Sequence, residues 1–113
     1  MATSGLRGPF PLTVAGINNE VTKTSAGAYA LGKVDNNGTF EIHYVGRSDD
    51  NVANRLLDHV QRWYPEFKYE YYSSGKTAFE KECSLYHDFS PPDNDIHPAK
   101  PAGTNHRCSV CAA

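Results

Sequence analysis

Two tyrosines occupy corresponding places in two short runs on either side of a turn. The first run reads Gly27-Ala28-Tyr29 and the second reads Tyr44-Val45-Gly46. Between them, Asp35-Asn36-Asn37-Gly38 supplies residues that adopt positive φ at low cost, which predicts a β-hairpin with strands at 26–34 and 39–46. Two hydroxyls converging on one sheet face are candidates for chemistry, whereas ordinary cross-strand packing is the commoner interpretation.

The loop of this hairpin has two possible registers. A loop at Asn36-Asn37 places Tyr29 opposite Tyr44, and a loop at Asn37-Gly38 places Tyr29 opposite Gly46. Because side chains alternate with period two along a strand, both registers leave the two tyrosines on the same face.

A carboxylate interrupts the apolar face of a later predicted helix. Glu82 lies within the stripe that is predicted to pack on the sheet, formed by Ala78, Leu85 and Phe89 with Phe79, Cys83 and Tyr86 alongside. A carboxylate buried without a partner costs several kcal/mol, so Glu82 should have a cation, a metal ion or strong donors nearby. The alternative is a helix rotated so that Glu82 lies at the rim.

Arg55 and His59 form an i,i+4 pair on the helix predicted after the hairpin. A guanidinium offers a fork of donors to phosphate oxygens, and an imidazole can orient a group or exchange a proton. The pair therefore suits a phosphate clamp, and a solvated helix face is the alternative.

The remaining pattern predicts an α+β fold in which a small three-stranded antiparallel sheet is flanked by helices. Helices are expected at 51–63 and 76–87, and alternating aromatic and charged residues predict the third strand at 67–71. Residues 1–25 are predicted to be an N-terminal arm, mostly a lead-in loop, with a short edge strand at 12–17 as the alternative. Residues 26–97 form the expected domain, and residues 98–113 an irregular C-terminal tail.

The composition limits the classes of protein to consider. A chain of 113 residues suits one domain, and no apolar run approaches a membrane span, so we expect a soluble protein without a membrane partner. Three cysteines favour a reducing, cytoplasmic compartment over a disulfide framework. The net charge of -2 means that any nucleic-acid surface must be a local patch.

The order of these elements resembles the GIY-YIG nuclease family. The resemblance covers about residues 26 to 96 and rests on the two tyrosine runs, on Arg55 and His59, on Ala78 four residues before Glu82, and on Asn94. The register is similar to that of the family's branch found as the N-terminal nuclease domain of a bacterial excision-repair protein. One departure is Ala28, where isoleucine or valine is usual.

The resemblance implies a catalytic set and a metal ion. It makes Glu82 the sole protein ligand of one divalent cation, Mg²⁺ or Mn²⁺. Tyr29 is implied as general base or water-positioning group, with Tyr44 in the same network. Arg55 is implied to stabilise the scissile phosphate, His59 to assist proton transfer or orientation, and Asn94 to hold the site together. The nuclease hypothesis requires Tyr29, Tyr44, Arg55 and Glu82 to meet in one concave patch.

DNA is the partner that the resemblance implies. Besides Arg55, a local phosphate track is predicted from four further basic residues: Arg47, Arg62, Lys68 and Lys76. Since this track is short, binding should be weak and sensitive to salt. The alternative is a non-catalytic nucleic-acid-binding or protein-interaction module of the same fold.

The tail carries a separate Cys/His pattern. Cys108 and Cys111 are spaced as Cys-x-x-Cys, with His106 beside them and His97 upstream, a set that could bind zinc. The long, proline-containing stretch between the two histidines disfavours this site, and an irregular tail with thiols is the favoured interpretation.

Overall fold

A computed structural model describes residues 4–94, 98–99 and 108. Within these residues the chain is an α+β unit with one antiparallel sheet of four strands and three helices. In chain order the elements are β1 (Arg7–Pro11), α1 (Val14–Glu20), β2 (Gly27–Val34), β3 (Phe40–Ser48), α2 (Val52–Leu57), β4 (Glu66–Tyr71) and α3 (Gly75–Phe89).

The sheet has one strand more than predicted. Its order is β1-β4-β2-β3, so the three predicted strands are present and β1 adds an edge strand beside β4. The segment predicted as a lead-in loop thus contributes a strand, and the prediction of three strands was wrong. Pro9 and Pro11 make β1 difficult to recognise in the sequence, because proline lacks the N–H that a regular ladder uses. The strand can form nevertheless, since proline is tolerated at a sheet edge.

The apolar stretch at 12–17 is not the alternative edge strand. Thr13 caps helix α1 there, its hydroxyl accepting the Gly16 N–H at 2.9 Å, and Ile17 is fully buried. The stretch is too short for its periodicity to separate helix from strand, and the cap decides the outcome.

The hairpin takes the second of the two predicted registers at the tyrosines. Tyr29 pairs with Gly46 and Leu31 with Tyr44, but Gly32 pairs with Ile42, which leaves His43 as an extra residue in β3. This β-bulge shifts the register toward the tip, where Asp35 N–H donates to the Thr39 carbonyl and Gly38 has φ +82°. The loop is therefore longer than either predicted two-residue loop.

The two faces of the sheet bury different sets of residues. One face carries Tyr29, Leu31 and Phe67, which pack with Ile17 of α1 and Leu56 of α2. The other face packs against α3 through a smaller cluster of Ala30, Val45 and Leu85. The strands between them present alternate side chains to each layer, as their period of two requires.

The two predicted helices differ in how well their ends were anticipated. Helix α3 was predicted at 76–87 and extends one or two residues further at each end, with a capping box between Ser74 and Thr77. Helix α2 was predicted to continue to Trp63 but ends at Leu57, after which His59 N–H donates to the Leu56 carbonyl in a tighter turn. In the described part of the chain, none of these helices has the length and apolar character required to cross a membrane.

Candidate active site

A pocket of about 480 Å³ opens at the end of the sheet where β3 passes Gly46. It receives side chains from both layers, because the tyrosine face and the α3 face meet around this edge strand. Its lining comprises Tyr29, Tyr44, Gly46, Arg47, Ser48, Asp49, Asp50, Arg55, Glu82 and Ala99. The predicted convergence of Tyr29, Tyr44, Arg55 and Glu82 is therefore met, whereas the roles of these residues stay predictions.

Gly46 gives the phenol of Tyr29 its place at the pocket. The two residues pair across β2 and β3, and a Cβ added at Gly46 would lie 2.5 Å from Cζ of Tyr29 and 2.9 Å from Cε2. Any side chain at position 46 would therefore displace the ring. The glycine lets the ring of Tyr29, itself fully buried, pass beneath the strand and line the pocket.

His59 joins the two tyrosines beneath the pocket. The Tyr29 hydroxyl and His59 Nε2 are 2.8 Å apart and share a hydrogen bond whose direction depends on the imidazole tautomer. The ring of Tyr44 lies 5.4 Å from the same imidazole, centroid to centroid. His59 is buried, and the alternative of a solvated helix face for this residue was wrong because the chain tightens after Leu57 and turns the imidazole inward.

The environment keeps both members of this pair uncharged. Burial, together with the positive charges of Arg62 and Arg55, lowers the pKa of His59 to about 4. Burial and the neighbouring Tyr44 raise the pKa of Tyr29, and Arg55 opposes this shift without overcoming it. A neutral imidazole therefore faces a protonated phenol at neutral pH.

Glu82 faces the pocket with a cationic partner already in place. It is buried, and its Oε1 accepts a hydrogen bond from Arg47 Nη1 at 2.7 Å. Burial raises the pKa of Glu82, while the hydrogen bond and charge of Arg47 act against that rise. The expectation of a buried carboxylate with a nearby cation is met, and the alternative of Glu82 exposed at the rim was wrong.

Arg47 connects three parts of the chain. Its Nε donates to Asp49 at 2.8 Å, its Nη1 donates to Glu82 and to the Ala99 carbonyl, and its guanidinium lies over the ring of Phe79. Burial opposes its charge, but the hydrogen bonds to the two carboxylates outweigh burial and raise its pKa. With only 12% of its side chain exposed, Arg47 braces the pocket and is not an open phosphate contact.

Asn94 lies outside the pocket lining and supports the strand that forms its edge. Its Oδ1 accepts the Val45 N–H at 2.8 Å, and its Nδ2 donates to the Val45 carbonyl at 3.0 Å. One residue earlier, the Asp93 N–H donates to the His43 carbonyl at 2.9 Å. The amide of Asn94 thus takes the place of a further strand along the free edge of β3.

The other basic residues of the predicted track are dispersed. Arg55 remains open, with 52% of its side chain exposed and a 3.7 Å ion pair to Asp58, and Arg62 lies over the ring of Tyr44. Lys76 follows Gly75, which lies beside Asp49 of the pocket. Lys68 is instead placed over Phe40 toward the hairpin tip, so the structure does not bring it to the track.

The donor set suits a hard divalent cation. Glu82, Asp49 and Asp50 give the pocket three carboxylates against the two guanidinium groups of Arg47 and Arg55. Mg²⁺ and Mn²⁺ prefer such oxygen ligands, and Mg²⁺ keeps several of its waters, so one close carboxylate would suffice. Within residues 4–94, 98–99 and 108, no group of three or more His, Cys, Asp or Glu side chains is arranged to hold a metal ion by itself.

The proposed zinc ligands of the tail can be placed only in part. His97, His106 and Cys111 lie outside the described residues. Cys108 is buried and packs with Phe79 and Cys83 on the α3 side of the molecule. The expected core position of Cys83 is thus confirmed.

Sequence reasoning missed two parts of this site. Asp49 and Asp50, which precede the Asn51 cap of α2, were not among the predicted site residues, and both line the pocket. Their position directly after the second tyrosine run was the available signal. The part taken by Ala99 could not have been found, since its carbonyl reaches Arg47 across 52 residues of sequence.

Comparisons with protein-family models, with curated proteins and with solved structures found no match to this chain. Any assignment of function therefore depends on the pocket and on the residues that line it.

Proposed function

We propose that this protein is a metal-dependent endonuclease of the GIY-YIG type that hydrolyses DNA phosphodiester bonds in the cytoplasm. The observation that carries the proposal is the meeting of Tyr29, Tyr44, Arg55 and Glu82 in one pocket, although they come from both layers of the fold and span 54 positions of sequence. Proximity of donors, a carboxylate and a guanidinium is what stabilisation of a phosphodiester transition state requires.

The charge of the pocket supports a requirement for a cation. Three carboxylates and two guanidinium groups among the described lining residues leave a formal excess of one negative charge. A phosphodiester would be repelled by that excess. A divalent cation at Glu82 would reverse it, polarise the phosphate and neutralise the leaving oxygen.

The tyrosine and histidine suit a relay of protons. With His59 as the Nδ1–H tautomer, Nε2 accepts the Tyr29 hydroxyl proton, and the phenol oxygen is left to accept a proton from the attacking water. An imidazole with a pKa of about 4 is a weak acceptor, and part of that depression comes from Arg62 and Arg55. A phosphate anion bound against these arginines would offset their charges and raise the basicity of His59 when substrate is present.

The remaining residues have positioning roles in this proposal. Arg55 is open to solvent and presents a fork of donors to the scissile phosphate. Tyr44 packs against His59 and beneath Arg62, so it fixes both. Asn94 holds the backbone of Val45 by a hydrogen bond and thereby fixes strand β3. This strand lies between the part of the pocket lined by the tyrosines and the part lined by the glutamate.

Substitution of Glu82 tests the proposal. Supercoiled plasmid incubated with Mg²⁺ or Mn²⁺ should be cut by the wild-type protein, and Glu82→Gln, which preserves the size of the side chain, should reduce cleavage at least about 100-fold. Glu80→Ala on the same helix is the control and should cut normally. If Glu82→Gln and the wild-type protein cut the plasmid equally, and EDTA abolishes neither activity, Glu82 is not the ligand of a catalytic metal ion.

The pairing of Arg47 with Glu82 favours a second candidate function. An internal guanidinium already neutralises the carboxylate, as expected for a non-catalytic nucleic-acid-binding or protein-interaction module that has no use for a metal ion. Isothermal titration of the protein with Mn²⁺ separates the two candidates. Heat of binding that disappears in Glu82→Gln supports the nuclease, and DNA binding without any Mn²⁺ binding supports the module.

A further inference from the structure

Trp63 is a large aromatic side chain that is held in place and yet exposed. Its ring centroid lies 4.5 Å from that of Tyr64 and 4.9 Å from that of His43, which it meets edge to face. Tyr64 is itself buried and donates its hydroxyl to Asp93 at 2.6 Å. Despite these supports, 57% of Trp63 remains exposed.

The bulge in β3 places this aromatic group beside the pocket. Because His43 is the extra residue of the bulge, it projects next to Tyr44. His43 contacts Trp63, while Tyr44 lines the pocket. Arg62 lies between Trp63 and the pocket, since it precedes Trp63 in the chain and places its guanidinium 5.8 Å from the Tyr44 ring centroid. A strand lying on Trp63 would therefore pass a cation before it reaches the pocket.

The surroundings of Trp63 favour a nucleobase over an apolar protein surface. The large exposed hydrophobic residues in the described part of the chain are Val14, Val34 and Trp63, one on each of three separate segments. Trp63 is preceded by the exposed polar residues Gln61 and Arg62. A rigid ring with an adjacent guanidinium offers stacking for a base and a charge for its phosphate, whereas protein-binding sites are larger contiguous apolar patches.

We propose that Trp63, supported by His43 and Tyr64, is a stacking platform for an unpaired base of the DNA strand that enters the pocket. This inference deepens the nuclease proposal and depends on its nucleic-acid substrate. A base within a duplex is already stacked on both neighbours, so the platform selects a single-stranded, flapped or frayed segment.

The chain's single tryptophan makes the platform directly observable. In EDTA, which removes metal-dependent cleavage from the measurement, a short oligothymidylate should quench the fluorescence of Trp63, and a blunt duplex of equal length should quench it much less. Anisotropy of a dye-labelled oligothymidylate then compares variants. Trp63→Ala should weaken binding at least about fivefold, and Trp63→Phe should retain part of the affinity.

Val14→Ala is the matched control, because Val14 is also more than half exposed but lies on helix α1. It should bind the oligonucleotide like the wild-type protein. Unchanged affinity in Trp63→Ala, or the absence of quenching, overturns the platform. Self-association in sedimentation that Trp63→Ala abolishes, without a change in oligonucleotide affinity, also overturns it and makes Trp63 a protein contact.

The same measurements keep this inference separable from the proposed cleavage activity. If plasmid is cut in a Glu82-dependent manner while Trp63→Ala binds and cuts normally, the platform fails and the nuclease proposal stands. If the oligothymidylate quenches Trp63 with no cleavage under any divalent metal, the platform stands and the nuclease proposal fails.

Discussion

At the scale of single residues, the site depends on the absence of one side chain. Tyr29 is part of the buried core and also the wall of the pocket, and both are possible because Gly46 opposite it has no Cβ. A core residue has little freedom to move, so the phenol is held in position by packing. The packing that stabilises the fold therefore also fixes the position of the phenol in the proposed chemistry.

Gly46→Ala should therefore disturb both stability and the site. The added methyl group overlaps the ring of Tyr29, and overpacking of this kind lowers the free energy of unfolding by about 1–3 kcal/mol. Urea denaturation measures this loss, and plasmid cleavage should fall with it.

A double-mutant cycle identifies the cause of that loss. In a Tyr29→Leu background the overlapping ring atoms are gone, so Gly46→Ala should cost much less than it does in the wild-type protein. An equal cost in both backgrounds would show that the methyl group meets the strand itself and not the tyrosine.

His59 should give the stability of the protein a distinct pH dependence. Its pKa of about 4 in the folded protein lies below the ordinary value of 6.5, so between these values the unfolded chain binds a proton that the folded protein does not. Stability is lost as the pH falls through this window. Replacing His59 by glutamine should reduce the loss measured by urea denaturation between about pH 7 and about pH 4.

His87→Gln provides the comparison, because it removes a histidine from α3 far from Tyr29 in sequence and leaves the buried pair intact. Identical pH profiles for wild type and His59→Gln would contradict the lowered pKa.

At the scale of elements, the edge strand β3 is what joins the two layers into one site. It carries Tyr44 toward α2 and Arg47 toward α3, and its bulge adds His43 to the tyrosine side. An edge strand has free backbone groups, and the segment after α3 covers some of them through Asp93 and Asn94. Covering this edge keeps β3 in register where the pocket is formed.

Asn94→Asp should remove one of the two hydrogen bonds between the Asn94 side chain and β3 and keep the other. The carboxylate can still accept the Val45 N–H, but it loses the donor at 3.0 Å from the Val45 carbonyl and places a negative oxygen there instead. We expect a loss of about 1–3 kcal/mol in the free energy of unfolding, measured by urea denaturation at neutral pH. Acidic pH should restore part of it, because a protonated carboxyl can donate again.

Asn36→Asp makes the same chemical change at the exposed hairpin tip and should leave stability nearly unchanged. If both substitutions cost the same, the amide of Asn94 does not brace β3.

Elements with strong local signals were predicted well. The hairpin tyrosines, the strand at 67–71 and helix α3 follow from alternation, turn residues and an apolar stripe that are all encoded nearby. Strand β1 and the early end of α2 were missed, since the first depends on pairing with a strand about 60 residues away and the second on the burial of His59. Both outcomes come from tertiary contacts that local patterns do not encode.

At the scale of the whole molecule, charge limits how strongly the protein could hold DNA in the proposed function. The net charge is -2, Arg47 is neutralised by two carboxylates, and Lys68 lies toward the hairpin tip. Arg55, Arg62 and Lys76 remain as cations near the pocket. Affinity in the absence of metal should therefore be modest.

Salt dependence tests this count of contacts. Three phosphate contacts on a single strand predict a slope of about -2 for the logarithm of the binding constant against the logarithm of salt concentration. Anisotropy titrations of labelled oligothymidylate measure this slope. Arg62→Ala should reduce its magnitude by about 0.7, and Lys68→Ala should leave it unchanged. A much steeper slope would mean that further cations of the chain contact the strand.

The sequence by itself determined the candidate side chains and the elements that carry them. The faces that carry Tyr29, Tyr44 and Glu82 could be predicted because turn chemistry, strand alternation and helix periodicity act over a few residues. The resemblance to the GIY-YIG family then selected these residues, together with Arg55, as candidates for one site. Only the tertiary structure decided that Arg47 pairs with Glu82, that His59 bonds Tyr29, and that Trp63 stands beside the pocket. These contacts depend on a bulge, on a helix that ends early and on layers packed against each other, and such features arise from the free energy of the whole core.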